Sequence, residues 1–353
     1  MRDPSNDAGC PLVTAMATPP PPRRVLLRDV ARRARVSAMT VTRTLRQPGK
    51  VSDATRERVE AAVRALGYTP DLNARGLASR RSGLVAAVVP LLTNSLIAEI
   101  VQGLSDALAG HGYQLLIGAS GFDARAEEAL VREFLSRRVD AIYLTGTRRT
   151  PATLRMLRAA HLPIVEGGNL HARPLDMEVG YSNVDAAAAI TRHVLSRYDG
   201  PVGYIGAHPK DNDRARDRRK GFQAACAKAG RAVDPRHCIE TKLDIVAGAQ
   251  AMAQLVQMKP RPRAVFCSAD ALAVGALFES QRRGLTVPKA MAIAGFDDLD
   301  IASQTLPAIT TVRVPRYAMG QRAGELLCDR LAGRPVAAHI VDVGYELVER
   351  ASA

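Results

Sequence analysis

From Leu84 onward, short uninterrupted apolar runs alternate with amphipathic stretches, and few folds can bury that alternation. Leu84–Val89 is apolar throughout, and Ser95 to Gly110 then sets Ile97, Ile100, Val101, Leu104 and Leu108 on one helical face. Tyr113–Ile117, Ala141–Leu144, Pro163–Val165, Val202–Ile205, Ala264–Cys267, Met291–Ala294 and Thr310–Val314 read as further strands, with helical stretches between most of them. Strands buried on both faces and joined by helices make parallel sheets. About 270 residues are enough for two such lobes. In open sheets of this kind a ligand sits beyond the carboxyl ends of the strands. Those ends supply Leu92, Asn94, Thr147, Glu166, Asn183, Asp270 and Asp297 as candidate ligand contacts. The run from Arg214 to Phe222, which opens a helix after Val202–Ile205, adds Arg214 and Arg218. Singly, each is more often a satisfied loop residue; their convergence on one edge is what points to a site.

Charge separates the N-terminal part from this core. The net +14 is uneven: residues 1–22 sum to about −1, and residues 23–82 hold fifteen Lys and Arg against five Asp and Glu. A basic excess packed into so short a stretch suits a polyanion partner, although a charge run is often only a solvated surface. Local pattern favours the partner. Helical periodicity runs from Arg28 to Arg35, from a Ser37 cap to Arg46, and from a Ser52 cap to the stop at Gly67. Val41 and Leu45 are expected to face inward on the second helix. Two short helices and a brace form a helix-turn-helix, whose second helix enters the major groove. Its early residues are Ser37, Ala38, Met39, Thr40, Thr42 and Arg43. Arg43 can fork onto guanine or phosphate, the hydroxyls suit phosphate oxygens, and Ala38 and Met39 offer apolar contact.

Leu27-Arg28-Asp29-Val30-Ala31, Val36-Ser37, Thr40-Val41-Thr42-Arg43, Val51-Ser52 and Leu66-Gly67-Tyr68-Thr69-Pro70 together resemble the headpiece of the lactose-repressor family. Leu26 departs from the family's usual Thr or Ser cap. Gly221-Phe222, Ser268-Ala269-Asp270, Ala294-Gly295-Phe296-Asp297-Asp298 and Thr310-Thr311-Val312 extend the resemblance through the core. It implies two periplasmic-binding-protein-like lobes, a homodimer, and an effector between the lobes, with Arg218 and Asp297 at principal contacts and Asp270 beside another. It also implies that residues 71–82 are a hinge helix formed on operator DNA, in which Asn73, Leu77 and Ala78 meet the minor groove and Leu77 acts as a wedge. An ordinary linker is the alternative; Gly76, a poor helix residue, fits folding coupled to DNA. Within the family the core looks nearest to gluconate and ketogluconate regulators, partly through Met39-Thr40-Val41 and Val165-Glu166. Leu243 stands where sugar-ring binders carry an aromatic platform. A flexible anionic ligand needs cationic forks more than a stacking face, so a sugar acid is the expected effector, with a neutral sugar or a nucleobase as alternatives.

The expected division is an N-terminal arm at 1–22 (or sequence from an early start codon), a helix-turn-helix domain at 23–70, a hinge at 71–82 and the core at 83–353. Within the core, one lobe would take 83–182 with 309–338, and the other 183–308 with 339–353. Competing classes lack support. No apolar run reaches membrane length, and residues 1–22 lack the apolar segment of a secretion signal, as a periplasmic sugar-binding protein would need. There is no nucleophile elbow, phosphate-cradling glycine loop or dinucleotide fingerprint, which argues against an enzyme. The histidines show no zinc-like spacing, and five cysteines without C-x-x-C pairing suggest neither metal nor disulfides; no cofactor is expected and a cytoplasmic location fits. The expected function is an effector-controlled repressor on a near-palindromic operator. No leucine heptad follows Leu331, which argues against a coiled-coil tetramer.

Overall fold

A computed structural model describes residues 25–69, 81–92, 95–208, 210 and 212–353. The chain divides into two units, one ending and the other beginning between residues 74 and 75. The N-terminal unit holds α1 (Leu27–Ala34), α2 (Ala38–Arg46) and α3 (Asp53–Leu66). Its core is Val30, Ala31, Ala34, Val41, Val59 and Ala62, whose small side chains let three short helices close on one another. Leu26 has no side-chain acceptor to cap α1; the Asp29 carboxylate instead takes the Leu26 N–H at 2.9 Å. Ser37 Oγ accepts the Thr40 N–H at 3.0 Å and fixes the start of α2. Gly67, in the left-handed region at φ 61°, ends α3. Leu45 differs from expectation: it is 37% exposed, and Thr44 turns inward at i+3 from Val41, bonding back to Thr40 O at 2.8 Å.

The core unit contains two parallel sheets. The first is ordered β2-β1-β3-β4-β5-β11, with β1 Leu84–Val89, β2 Gln114–Ala119, β3 Ala141–Thr145, β4 Ile164–Gly167, β5 Met177–Gly180 and β11 Ile340–Asp342. The second is ordered β7-β6-β8-β9, with β6 Val202–Ala207, β7 Cys238–Thr241, β8 Ala264–Cys267 and β9 Ala292–Ala294. In both, strand order reverses beside the first strand, which opens a crevice at the carboxyl ends. A further ribbon pairs β10 (Thr311–Arg313) antiparallel with β12 (Glu346–Val348).

The lobe boundaries differ from the expected ones near the C-terminus. Thr310 and Arg313 bridge to Ala294 and Asp297, so this stretch lies with the second sheet rather than the first. Ile340–Asp342 pairs with β5 in the first sheet rather than joining the second lobe. The short strands β5, β7, β11 and β12 were not anticipated, because each breaks its three or four residues with an acidic side chain and so forms no apolar run.

The helix Ser95–Ala109 packs along Arg316–Leu331 through glycines. A Cβ on Gly103 would overlap the Tyr317 carbonyl, and one on Gly320 would overlap the Ile100 carbonyl. Gly320→Ala should therefore cost about 1–3 kcal/mol by overpacking, read as a lower denaturant midpoint at unchanged m. Gly110→Ala, where a Cβ meets only ordinary contacts, should leave the midpoint in place.

Candidate effector cleft and nucleic-acid interface

On α2, Ser37, Ala38, Met39 and Arg43 are exposed, Met39 by 71%, while Thr40 and Thr42 are half-buried. The hydroxyls already have local bonds: Thr42 Oγ1 donates to Ala38 O at 3.0 Å, and Ser37 Oγ and Thr40 Oγ1 share one at 2.9 Å. They keep lone pairs but donate less freely than the sequence suggests. Met39 and Arg43 are thus exposed long side chains near the start and middle of α2. Asn73, Leu77 and Ala78 lie outside the described residues, as does Asn94.

At the carboxyl edge of the second sheet, Arg218 on the helix Asp213–Lys228 is buried and fully engaged. Nε donates to Asn183 Oδ1 at 2.9 Å, Nη1 to Ser268 O at 2.7 Å, and Nη2 to Tyr181 Oη at 2.9 Å. Nη2 also lies 3.0 Å from Asp297 Oδ1, an ion pair without hydrogen-bond alignment. The guanidinium sits 3.8 Å over the Phe296 ring. Burial opposes its charge, but Asp297 and Tyr181 together more than offset that and raise its pKa. Burial also pushes the Asp297 carboxyl above the usual range, against the pull of Arg218. Asp297 occupies φ 110°, a strained backbone for a non-glycine residue.

Across the cleft, Thr147 N–H and Oγ1 each donate to Asp213 Oδ2 at 3.1 Å. Arg214 Nη1 donates to Asp213 Oδ1 at 3.1 Å. Burial would raise the Asp213 pKa, yet Arg214 and the two Thr147 bonds prevail and hold it below the ordinary carboxylate range. Behind Thr147, His171 Nε2 lies 3.1 Å from Oγ1, and its Nδ1 lies 2.7 Å from buried Glu178. The Glu178 bond raises the His171 pKa despite partial burial. Beneath them, Arg149 donates to Glu166 at 2.7 Å and approaches Glu127 Oε1 at 3.6 Å. One positive charge cannot neutralise two buried carboxylates, and at that distance Arg149 Nε makes no hydrogen bond to Glu127. Glu127 Oε1 has no hydrogen bond among the described residues, and burial raises this carboxyl to about 7.

Two small cavities, about 50 and about 40 Å³, share Pro90, Phe122 and Arg214. Each has room for a few waters. Arg218, Asp297 and Leu243 line the first; Thr147, Asp213, Glu127 and the exposed Arg148 line the second. Of the expected contacts, Thr147, Arg214, Arg218 and Asp297 thus come together at the cleft. Asn183, Glu166 and Asp270 do not reach its surface. Asn183 orients Arg218, and Glu166 is held by Arg149 and by the Leu175 N–H at 2.6 Å. Asp270 accepts Thr311 Oγ1 and the Leu299 N–H, both at 2.7 Å, and so ties β10 to the loop after β9. Leu92 is 59% exposed, and its neighbour Leu91 lines the cavity instead.

Phe122, Asp213, Glu127 and Arg148 were missed. Phe122 supplies an aromatic face that Leu243 does not, from a turn at φ 64° flanked by Gly121. Asp213 stands directly before Arg214, so its place in the sequence could have signalled it.

Residues 26–71 match the family model described as bacterial regulatory proteins, lacI family. Residues 192–353 match the model described as a periplasmic binding protein-like domain. The chain is similar to the HTH-type transcriptional regulator GntR of Escherichia coli (strain K12), 35% identical over 92% of this chain and 97% of the relative. With the regulator of that name from Pseudomonas aeruginosa it shares 37% identity over 93% of this chain and 96% of the relative. A solved LacI-family transcriptional regulator from Silicibacter pomeroyi matches with a TM-score of 0.87 at 29% identity, covering 93% of this chain and 99% of that one.

The cleft's titrating groups give a pH dependence of definite sign. Glu127 holds its proton more tightly folded than unfolded, so its contribution to stability is complete below about 4.5 and is lost as pH rises towards about 7. The His171 contribution is complete below 6.5 and is lost as pH rises through its raised folded value. Denaturant stability of the core should therefore fall as pH rises through neutrality. Glu127→Gln and His171→Asn should each flatten that fall; slopes equal to wild type in both variants would contradict the assignment.

Proposed function

The chain belongs to the lacI family of bacterial regulatory proteins and is a DNA-binding transcriptional regulator; from that premise we propose that it represses sugar-acid catabolism genes and is controlled by a gluconate- or ketogluconate-like effector in the cleft. The observation that carries the effector reading is Arg214, which lines both cavities beside the hydroxyl of Thr147 and the carboxylate of Asp297. A guanidinium suits an acid group, and a hydroxyl and a carboxylate suit a polyol chain. Two relatives at 35% and 37% identity bear the name GntR, which agrees with the resemblance read from the sequence. Phe122 favours a second reading, in which a neutral sugar ring or a nucleobase stacks on its face. The two cavities around Arg214 are smaller than any of these ligands, so binding there requires the lobes to part. An effector then shifts DNA affinity only through its unequal affinity for the two lobe arrangements.

In this proposal two protomers set their α2 helices in successive major grooves of a near-palindromic operator, and Leu77 wedges into its centre. The exposed apolar set Val246, Phe278, Ile301 and Leu306 of the second lobe supports a homodimer.

A thermal-shift screen of the full chain with sugar acids, neutral sugars and purines separates the readings. Selective stabilisation by gluconate or a ketogluconate, abolished by Arg214→Ala, is expected; stabilisation by neutral sugars or purines alone would replace the ligand while keeping the regulator. On DNA, Arg43→Ala should cost roughly 1–3 kcal/mol of operator affinity if it reads a base, and a uniform loss with a shallower salt slope if it meets phosphate. Leu77→Ala should weaken operator binding far more than nonspecific binding; equal losses would refute the wedge.

A further inference from the structure

The donors of Thr147 and Arg214 at the cleft are already engaged by one of the chain's own side chains. Asp213 and Arg214 open a helix of the second lobe, and both engage the first lobe. The Asp213 carboxylate receives the Thr147 N–H, the Thr147 hydroxyl and the Arg214 guanidinium, with only 3% of the residue exposed. Arg214 lies over Gly146 and Gly168. A Cβ on Gly146 would collide with the guanidinium and with the Asp213 carboxylate, so the first lobe presents a notch fitted to this pair. His171, held by Glu178, approaches the Thr147 hydroxyl from the far side. When protonated, His171 donates to that oxygen and leaves its hydrogen for Asp213. Glu127 faces the same cavity with one oxygen unpartnered, and Arg148 stands at its mouth.

We propose that Asp213 is a built-in occupant of the effector cleft: its carboxylate fills the place that Thr147 and Arg214 offer to a ligand's acid group, and it holds the lobes together until an acid displaces it. This rests on the reading of the cleft as the effector site and adds its regulation. A neutral hydroxyl cannot replace an ionised carboxylate here, because charge-assisted bonds are roughly twice as strong as neutral ones. A second carboxylate can, because it restores every bond that Asp213 gives up. Asp213 is tethered, so it competes at a high effective concentration. A simple carboxylate is therefore excluded from the wild-type cleft. A polyhydroxy acid gains further contacts, such as the Asp297 carboxylate, and can win. Asp213 thereby sets both the threshold and the selectivity for acids.

The test is chemical rescue in the full chain. Asp213→Ala leaves the three donors unfilled. Sodium acetate and sodium formate should then raise its Tm saturably, by a few degrees beyond equal sodium chloride, and should not raise that of wild type. Gluconate should stabilise Asp213→Ala at concentrations about tenfold or more below those wild type needs, because a like charge has been removed. No carboxylate-specific stabilisation of Asp213→Ala would overturn the proposal. Rescue by acetate without gluconate binding to either protein would keep Asp213's role and discard the sugar-acid reading. Gluconate binding to wild type, with unchanged affinity in Asp213→Ala and no acetate effect, would do the reverse. If Asp213→Ala does not fold, Asp213→Asn keeps the shape and loses the charge. Gluconate affinity at least about tenfold tighter in that variant supports the proposal, and unchanged or weaker affinity overturns it.

Discussion

The carboxyl edge of the second sheet is organised around one buried guanidinium. Arg218 gathers the end of β5 through Tyr181, the start of the following helix through Asn183, the end of β8 through Ser268 O, and the loop after β9 through Asp297. Each is a strand or helix terminus that would otherwise bury unpaired polar groups. A buried cation is costly unless its charge and its donors are both met. Here Asp297 meets the charge, and the other partners take aligned hydrogen bonds. The position of the cleft floor follows from that one requirement. Truncating Arg218 would leave Asp297 buried and unpaired, which makes the residue a structural keystone of the cleft floor.

From Asp297 the connection runs to the other lobe. Asp297 and Asp298 both take positive φ, at 110° and 53°. Arg313 and Arg350 hold the Asp298 carboxylate at 2.7 and 2.6 Å. Arg316, at the start of a helix packed in the first lobe, bonds the Asp297 and Asp298 carbonyls at 2.6 and 3.2 Å. Strain of this kind persists only when its surroundings over-determine it. A ligand that draws on Asp297 therefore acts on a turn that is clamped to both lobes. On the opposite wall, the Asp213–Thr147 bonds span the cleft and join the two lobes directly.

The sequence made the architecture legible where period and length were sufficient. The long amphipathic helices and the apolar strands β1, β3, β6 and β8 fall close to where their patterns placed them. The Ser37 cap and the Gly67 stop were readable because each depends on local backbone chemistry. The short strands β5, β7, β11 and β12 were not, and the lobe boundaries near the C-terminus moved with them. Thr310–Val314 reads as a strand from its β-branched residues, but nothing local says which sheet it joins. At the site, the basic run that opens a helix after Val202–Ile205 supplied Arg214 and Arg218, and strand-end position singled out Thr147 and Asp297. The same rule also picked Glu166, Asn183 and Asp270, which stand one layer behind the surface. It could not find Phe122 or Glu127, which come from a turn and a helix of no distinctive pattern.

By itself, then, the sequence determined the fold class, the helix-turn-helix and the sheet edge where the candidate contacts gather, because these follow from periodicity, capping and chain order. Only the tertiary structure decided which charges meet. Whether Arg214 is free or paired, whether Asp270 faces a ligand or a neighbouring strand, and whether the cleft is open or latched by Asp213 all depend on residues far apart in the chain. Coulombic and hydrogen-bond energies depend on distance and burial, and neither is written in the order of residues.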